Sequence, residues 1–241
     1  FALGIQALIW LFRKQGVLIR SAFRAPERAA IRWRSHVWPL QWRLALSTAG
    51  GFTVFALLIP SLLWARGPVE AGRLGMSLAL INAIYTICHS LVQARQPVLS
   101  MSAARQDYSA LESLFRSRFR WSLGLYIFGA VGLLTLLGLA WPRIDPLHSR
   151  LLAPEETAIL AAAMGIRLAR DLLNLYARSF KQEPFFVLEL TQGLLAAVLL
   201  PWTALEGGAT AMLWAWLGIN LALAGPNARA FVQFRRVHTG R

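Results

Sequence analysis

Six runs of mainly apolar residues, each long enough to cross a lipid bilayer, dominate the sequence. A membrane-spanning helix needs about 20 such residues. The runs lie at residues 44–65, 72–92, 121–141, 157–176, 185–205 and 209–225. The apolar residues 1–12 are expected to be the end of a further helix, truncated because residue 1 lies inside a longer polypeptide. The pattern predicts an all-α membrane protein with six whole transmembrane helices and one truncated N-terminal helix.

The composition agrees with a membrane protein and excludes several other classes. Hydrophobic residues make up 56% of the chain and charged residues 15%, against about a quarter charged in soluble domains. The net charge is +14, but the arginines are separated by long apolar runs, which does not suit a basic nucleic-acid-binding face. The single cysteine, Cys88, lies inside an apolar run, so we expect neither an internal disulfide nor a cysteine-based metal site. No nucleic-acid partner, metal or cofactor is expected.

The basic residues between the runs predict the orientation of the chain. Lys and Arg accumulate in cytoplasmic loops. Of the 25 basic residues, 19 lie in the segments 13–43, 93–120, 177–184 and 226–241, and only 4 lie in the loops on the opposite side. We therefore expect a multi-pass membrane protein with both ends of this chain in the cytoplasm.

Three parts follow from this layout: the truncated helix 1–12, a basic linker 13–43, and a six-helix transmembrane bundle 44–241 with a cytoplasmic C-terminal tail. The linker carries several tryptophans, and it is either a helix lying on the anionic inner leaflet or a solvated connector. The segment 104–121 has apolar residues at a spacing of three to four, which predicts an amphipathic helix at the cytoplasmic surface.

One predicted span contains a stripe of polar side chains. The segment 165–178 reads GIRLARDLLNLYAR. At about 100° per residue, its polar residues share one helix face, namely Arg167, Arg170, Asp171, Asn174 and Arg178. An arginine in the middle of a bilayer costs at least about 2.5 to 3.5 kcal/mol on insertion scales. The stripe should therefore face the protein interior or a water-filled cavity.

Two interpretations of the stripe remain open. In the first, Arg167 pairs with Asp171 four residues later, Arg178 reaches the inner interface, and the stripe is structural. In the second, Arg170 and Asn174 are left less neutralised and form a cationic cavity wall that attracts an anionic substrate. On the second interpretation Arg167, Arg170, Asp171 and Asn174 face the substrate.

Other polar residues within the spans are weaker candidates. Asn82 and His89 lie seven residues apart on one face of the second whole span and are expected to line the same cavity. Glu189 and Gln192 could be counter-groups to the arginines, whereas Asn220 is expected to make a helix-packing hydrogen bond. The four histidines are scattered and no HExxH motif is present, so no catalytic residue is proposed and the chain is not expected to be an enzyme.

Three stretches resemble a known family. They read WPLQWRLALSTAGGF at 38–52, GPVEAGRLGMSLALINA at 67–83 and RQPVLSMSAARQDYSALESLF at 95–115. Together they resemble the second half of the polysaccharide-biosynthesis flippases, O-antigen-type translocases of the multidrug/oligosaccharidyl-lipid/polysaccharide exporter superfamily. The resemblance covers residues 38–120, while residues 121–241 are similar only in span count and loop length.

The resemblance implies one bundle of a two-bundle carrier with a central cavity. The implied partners are the lipid bilayer, an anionic lipid-linked glycan, and either the missing N-terminal bundle of the same polypeptide or a second protomer. The implied activity is the flipping of an anionic lipid-linked oligosaccharide, or a related polysaccharide precursor, by alternating access. The alternative is a non-transporting membrane scaffold subunit of a polysaccharide synthesis or export complex.

Overall fold

A computed structural model of the chain describes residues 38–141 and 149–239, and in these ranges every regular element is a helix. The truncated helix expected at 1–12 and all but the last residues of the linker 13–43 lie outside the described residues. The helices are α1 Trp38–Arg66, α2 Pro68–Gln93, α3 Gln96–Ala104, α4 Tyr108–Ala140, α5 Pro154–Ser179 and α6 Phe186–Thr239. The all-α prediction is confirmed for this part of the chain.

Within the described residues, four helical stretches are long and apolar enough to cross a membrane, which supports the prediction of a multi-pass membrane protein. They are Gln41–Arg66, Pro68–Ala104, Tyr108–Ala140 and Phe186–His238. Helix α5 coincides with the predicted run 157–176, but its central charged residues lower its hydropathy and keep it out of this set. Helix α6 contains the last two predicted runs, one on each side of an interruption at Gly207 and Gly208.

The boundaries of the helices follow from local sequence signals. Pro68 and Pro154 begin α2 and α5, positions at which the missing backbone N–H costs nothing. Asp107 caps α4, and its carboxylate accepts a hydrogen bond from the backbone N–H of Ala110 at 3.1 Å. The amphipathic segment 104–121 enters α4 at this cap and runs without a break into the apolar span. The expected surface helix is therefore largely the first part of α4.

Helix α6 is interrupted at a pair of glycines, and α1 supplies a cap for the interruption. Gly207 and Gly208 have non-helical backbone angles, and φ of Gly208 is 64°, a conformation that favours glycine. The side chain of Arg66 donates hydrogen bonds to the three carbonyl oxygens before the break, at 3.1 to 3.3 Å, those of Ala204, Leu205 and Glu206. A cation at these carbonyls also complements the negative end of the helix dipole.

The least apolar helix, α5, occupies the centre of the bundle. It packs against α2, α3, α4 and α6, and it buries residues on most of its circumference, including Leu160, Met164, Leu168 and Leu172. Many large apolar residues of the neighbouring helices are exposed, among them Phe128, Val198 and Trp202. Lipid can cover these apolar surfaces, whereas Arg167, Arg170 and Asp171 in the middle of α5 are largely enclosed by protein.

Helices α1 and α6 approach closely through two glycines. A Cβ atom placed on Gly193 would lie 2.7 Å from the Cα of Gly50, and a Cβ on Gly50 would overlap the backbone carbonyl of Glu189. Small residues allow this separation, as in many membrane helix pairs. The contact holds α1 against the segment of α6 that carries Glu189 and Gln192.

Candidate functional site

A buried ion pair joins α5 to α6. Nη2 of Arg170 donates to Oε1 of Glu189 at 2.7 Å, and the two side chains are 4% and 6% exposed. Nη1 of Arg170 donates to Oδ1 of Asn220 at 3.2 Å. The expectation that Arg170 would be poorly neutralised is wrong, because Glu189 is its direct counter-ion.

Amide side chains extend this pair into a network. Nδ2 of Asn174 donates to the same Glu189 oxygen at 3.2 Å. Gln192 donates to Oδ1 of Asn220 at 3.3 Å, and Asn220 donates to the carbonyl of Trp216 at 2.8 Å. The counter-group expected at Glu189 is therefore present, and Asn220 also accepts hydrogen bonds from two other side chains. Buried polar groups that are hydrogen-bonded in this way fix the position of one helix relative to the other.

A second ion pair lies one turn earlier on α5. Nε of Arg167 is 3.3 Å from Oδ2 of Asp171, the pairing predicted from the spacing of four residues. The Tyr85 hydroxyl donates to the same oxygen at 2.5 Å. The Arg167 guanidinium lies 4.3 Å from the centre of the Phe55 ring, a cation–π contact, and donates to the carbonyl of Gly51 at 3.3 Å. Residues from α1, α2 and α5 thus hold this pair.

A third ion pair closes the end of α5. Arg178 donates to Glu183, which lies in the turn before α6. The Glu183 side chain is 1% exposed and that of Arg178 36%. Burial raises the pKa of Glu183, and the neighbouring Arg178 opposes that rise. Glu183 was not predicted as a partner because it lies in a loop, and only the chain reversal after α5 brings it back to Arg178.

A polar cavity of about 320 Å³ opens beside these pairs, between α1, α2, α5 and α6. Among the predicted site residues, Arg167, Asp171, Asn174 and His89 line it. The remaining lining residues are Ser47, Thr48, Gly51, Phe52, Phe55, Tyr85, Arg178 and Glu189. The structure therefore brings residues that are far apart in the sequence to one polar surface.

Two predicted site residues lie away from this surface. Arg170 is enclosed by Glu189 and Asn220 and does not line the cavity. Asn82 is exposed on α2 and does not line it either. His89 does, with its ring stacked on that of Tyr85 at 5.6 Å between centroids.

Sequence reasoning missed several lining residues of α1 and α2. Tyr85 lies four residues before His89 on the same helix face, a spacing that could have identified it. Ser47, Thr48 and Gly51 follow a spacing of three to four along α1, which predicts a polar strip on that helix. Phe55 lies one turn further along the same face of α1 and also lines the cavity. An aromatic residue in an apolar span does not indicate a cavity.

The site is balanced in charge. Arg167, Arg170 and Arg178 are paired with Asp171, Glu189 and Glu183, respectively. Ion pairs in a low-dielectric interior stabilise only when each charge is neutralised and hydrogen-bonded. Among the described residues no group of three or more His, Cys, Asp and Glu side chains is placed to hold a metal ion. In this arrangement an incoming charged group can replace one partner of an ion pair. The polar side chains can also form hydrogen bonds to a polar ligand or to its water.

Comparison with protein-family models, with curated proteins and with solved structures finds no match to this chain.

Proposed function

We propose that the chain takes part in the flipping of an anionic lipid-linked oligosaccharide, or a related polysaccharide precursor, across the bacterial inner membrane by alternating access. The observation that supports the proposal is the polar cavity of about 320 Å³ that α5 forms with α1, α2 and α6, three helices long and apolar enough to cross a membrane. A carrier of amphiphilic substrates needs such a compartment, because a glycan headgroup cannot enter the hydrocarbon core without polar partners.

Counter-ion exchange explains how a charge-balanced cavity can receive an anion. A phosphate or carboxylate that enters can replace Asp171 at Arg167, and Asp171 then retains its hydrogen bond from Tyr85. Arg178 offers a second cation, since more than a third of its side chain is exposed. Guanidinium groups bind phosphate and carboxylate oxygens through paired donors. We assign substrate contact to Arg167 and Arg178, and a structural role to Arg170.

The proposed architecture is one bundle of six spans, completed by a second bundle from the same polypeptide or from another protomer. The position of α5 supports a span there despite its charges, because neighbouring helices enclose it. The glycine break at Gly207 and Gly208 supports two spans within α6. The distribution of basic residues supports cytoplasmic ends, and the stretches within 38–120 support the resemblance to polysaccharide flippases.

The test replaces Arg167 with Gln in the producing cell and measures surface polysaccharide together with the membrane abundance of the protein. Loss of one charge-assisted hydrogen bond is worth about 1.5 to 3 kcal/mol, so we expect a decrease of about tenfold or more at unchanged abundance. Arg229→Gln is the matched control, because Arg229 is exposed and does not line the cavity. Normal polysaccharide with Arg167→Gln at normal abundance would contradict the substrate role.

The charge balance favours a second candidate, a non-transporting scaffold subunit of a polysaccharide synthesis or export complex. Three arginines matched by three carboxylates also suit a network that only holds helices together. A scaffold would copurify with a stoichiometric membrane partner, and its deletion would leave translocation of the lipid-linked intermediate unchanged. Deletion that stops translocation supports the flippase instead.

A further inference from the structure

A second cavity, separate from the central one, lies where the start of α4 meets the ends of α5 and α6. Its volume is about 170 Å³, and its lining residues are Glu112, Phe115, Arg116, Phe119, Leu173, Tyr176, Phe231 and Arg235. None of these residues lines the central cavity. Aromatic rings form its walls: the rings of Phe115 and Tyr176 are 4.8 Å apart between centroids, and those of Tyr176 and Phe231 are 5.3 Å apart.

Two arginines at the cavity share one carboxylate. Oε1 of Glu112 lies 3.7 Å from Nη2 of Arg116, and the same oxygen pairs with Arg235 of α6. The lining thus contains two guanidinium groups and one carboxylate. The Arg116 side chain is 62% exposed, so it can turn toward a ligand at low cost.

The cavity also holds a buried donor without an acceptor. Tyr176 is 1% exposed, and its hydroxyl has no hydrogen-bond partner among the described residues. A buried hydroxyl that lacks a partner costs about 1 to 3 kcal/mol. An acceptor oxygen supplied by a ligand would remove this cost.

The position of the cavity selects the ligand. It lies at the ends of α5 and α6 that carry the predicted cytoplasmic segments 177–184 and 226–241, and beside the basic segment 93–120. An apolar groove between α4 and α5 begins one turn further along the span, where Leu123 follows Phe119 and Ala169 precedes Leu173. A basic pocket between helices at the cytoplasmic interface suits the headgroup of an anionic lipid, whose acyl chains can follow this groove.

We propose that this cavity binds the phosphate group of an anionic phospholipid of the cytoplasmic leaflet. Arg116 and Arg235 are its cations, the Tyr176 hydroxyl is its neutral donor, and Glu112 positions the two arginines. Phe119 and Leu173 contact the upper part of an acyl chain. The proposal does not depend on the flippase assignment, since it requires only that this end of the bundle meets the membrane surface.

The experiment titrates the purified full chain, in zwitterionic detergent, with short-chain phosphatidylglycerol and follows the midpoint of thermal unfolding. We expect a saturable rise with phosphatidylglycerol and none with phosphatidylcholine of the same chain length. A third arm uses inorganic phosphate. Equal apparent affinity for inorganic phosphate would show a soluble-anion site and would overturn the lipid assignment, as would an equal response to both lipids.

Three variants connect the response to this cavity. Arg116→Gln and Tyr176→Phe should each weaken phosphatidylglycerol binding about tenfold, because each removes one donor to phosphate. Arg120 lies one turn further along α4 and outside the lining. Arg120→Gln removes the same charge as Arg116→Gln, and this variant should bind phosphatidylglycerol as the parent does. Tyr176→Phe also removes an unpartnered hydroxyl, so without lipid it should unfold at the same temperature as the parent or higher. Unchanged lipid affinity in both Arg116→Gln and Tyr176→Phe would overturn the proposal.

Discussion

Nη2 of Arg170 lies 2.7 Å from Oε1 of Glu189 in a region where both side chains are almost fully buried. The pair connects the central helix α5 to α6, and Asn174 and Asn220 satisfy further hydrogen-bonding groups around it. The charge of Arg170, which suggested a substrate site in the sequence, is therefore neutralised by the protein itself. The residues left for a ligand are those at the cavity surface, above all Arg167 and Arg178.

Replacement of Arg170 with Ala should destabilise the protein by about 3 to 5 kcal/mol, because it leaves the Glu189 carboxylate buried without its counter-ion. The measurement is unfolding in detergent, followed by helical circular dichroism. The double replacement Arg170→Met with Glu189→Met should cost less than the single change, since no uncompensated charge remains. A cost below about 1 kcal/mol for Arg170→Ala would contradict a buried pair.

Gly50→Ala should separate α1 from α6, because the new methyl group would overlap the backbone at Glu189. Overpacking of this kind costs about 1 to 3 kcal/mol. Gly132→Ala in α4 is the control, since a Cβ there has no atom of the described residues within 4 Å. The better helix propensity of Ala should leave stability unchanged or raise it by up to about 1 kcal/mol. Equal effects of the two changes on unfolding would exclude the close approach of the two helices.

Arg66→Gln should loosen the interruption in α6, because three carbonyls before Gly207 lose a charged donor. The expected loss of stability is about 1 kcal/mol, since Arg66 is largely exposed. Hydrogen exchange should become faster in the residues around the break, and Arg150→Gln at another exposed position should leave it unchanged. If hydrogen exchange around the interruption is unchanged in Arg66→Gln, the two glycines maintain the interruption without the hydrogen bonds from Arg66.

Asp107 should make the stability of α4 dependent on pH in the acid range. The backbone N–H of Ala110, followed by the hydroxyl of Ser109, lowers the pKa of Asp107. A lowered carboxyl pKa contributes stability that is complete above the unfolded-state pKa and is lost as the pH falls through the folded-state pKa. Asp107→Asn keeps an acceptor at the cap without titrating, so its unfolding midpoint should fall less on acidification than that of the parent. Identical pH profiles for the two proteins would contradict this role of the cap.

The sequence predicted the helical runs and the local pairing on α5 because both depend on near neighbours. Apolar runs of sufficient length define spans without knowledge of the fold, and the Arg167–Asp171 pair needs only the helical repeat. The same repeat placed Arg170 on the polar face, but it could not show which of the polar residues lie at a cavity and which are enclosed by α6.

The remaining features depend on how helices pack against one another. Tyr85 meets Asp171, and Arg66 meets the carbonyls of α6, only after α1, α2 and α6 have been placed around α5. The register between helices is set by side-chain volumes and close contacts such as Gly50 with Gly193, which a single sequence does not reveal. Asn82 shows the same limit, since its spacing from His89 fits one face although the side chain is exposed.

Photocrosslinking from the central cavity tests the proposed function most directly. A photoreactive amino acid in place of Thr48, which lines the cavity, is irradiated in membranes that contain the lipid-linked oligosaccharide. The same amino acid in place of Leu194, exposed on α6 and outside the lining, is the control. We predict a glycolipid adduct at position 48 that Arg167→Gln weakens about tenfold, and little adduct at position 194. Equal labelling at both positions, or no adduct at position 48, would contradict the account of the cavity as a substrate compartment.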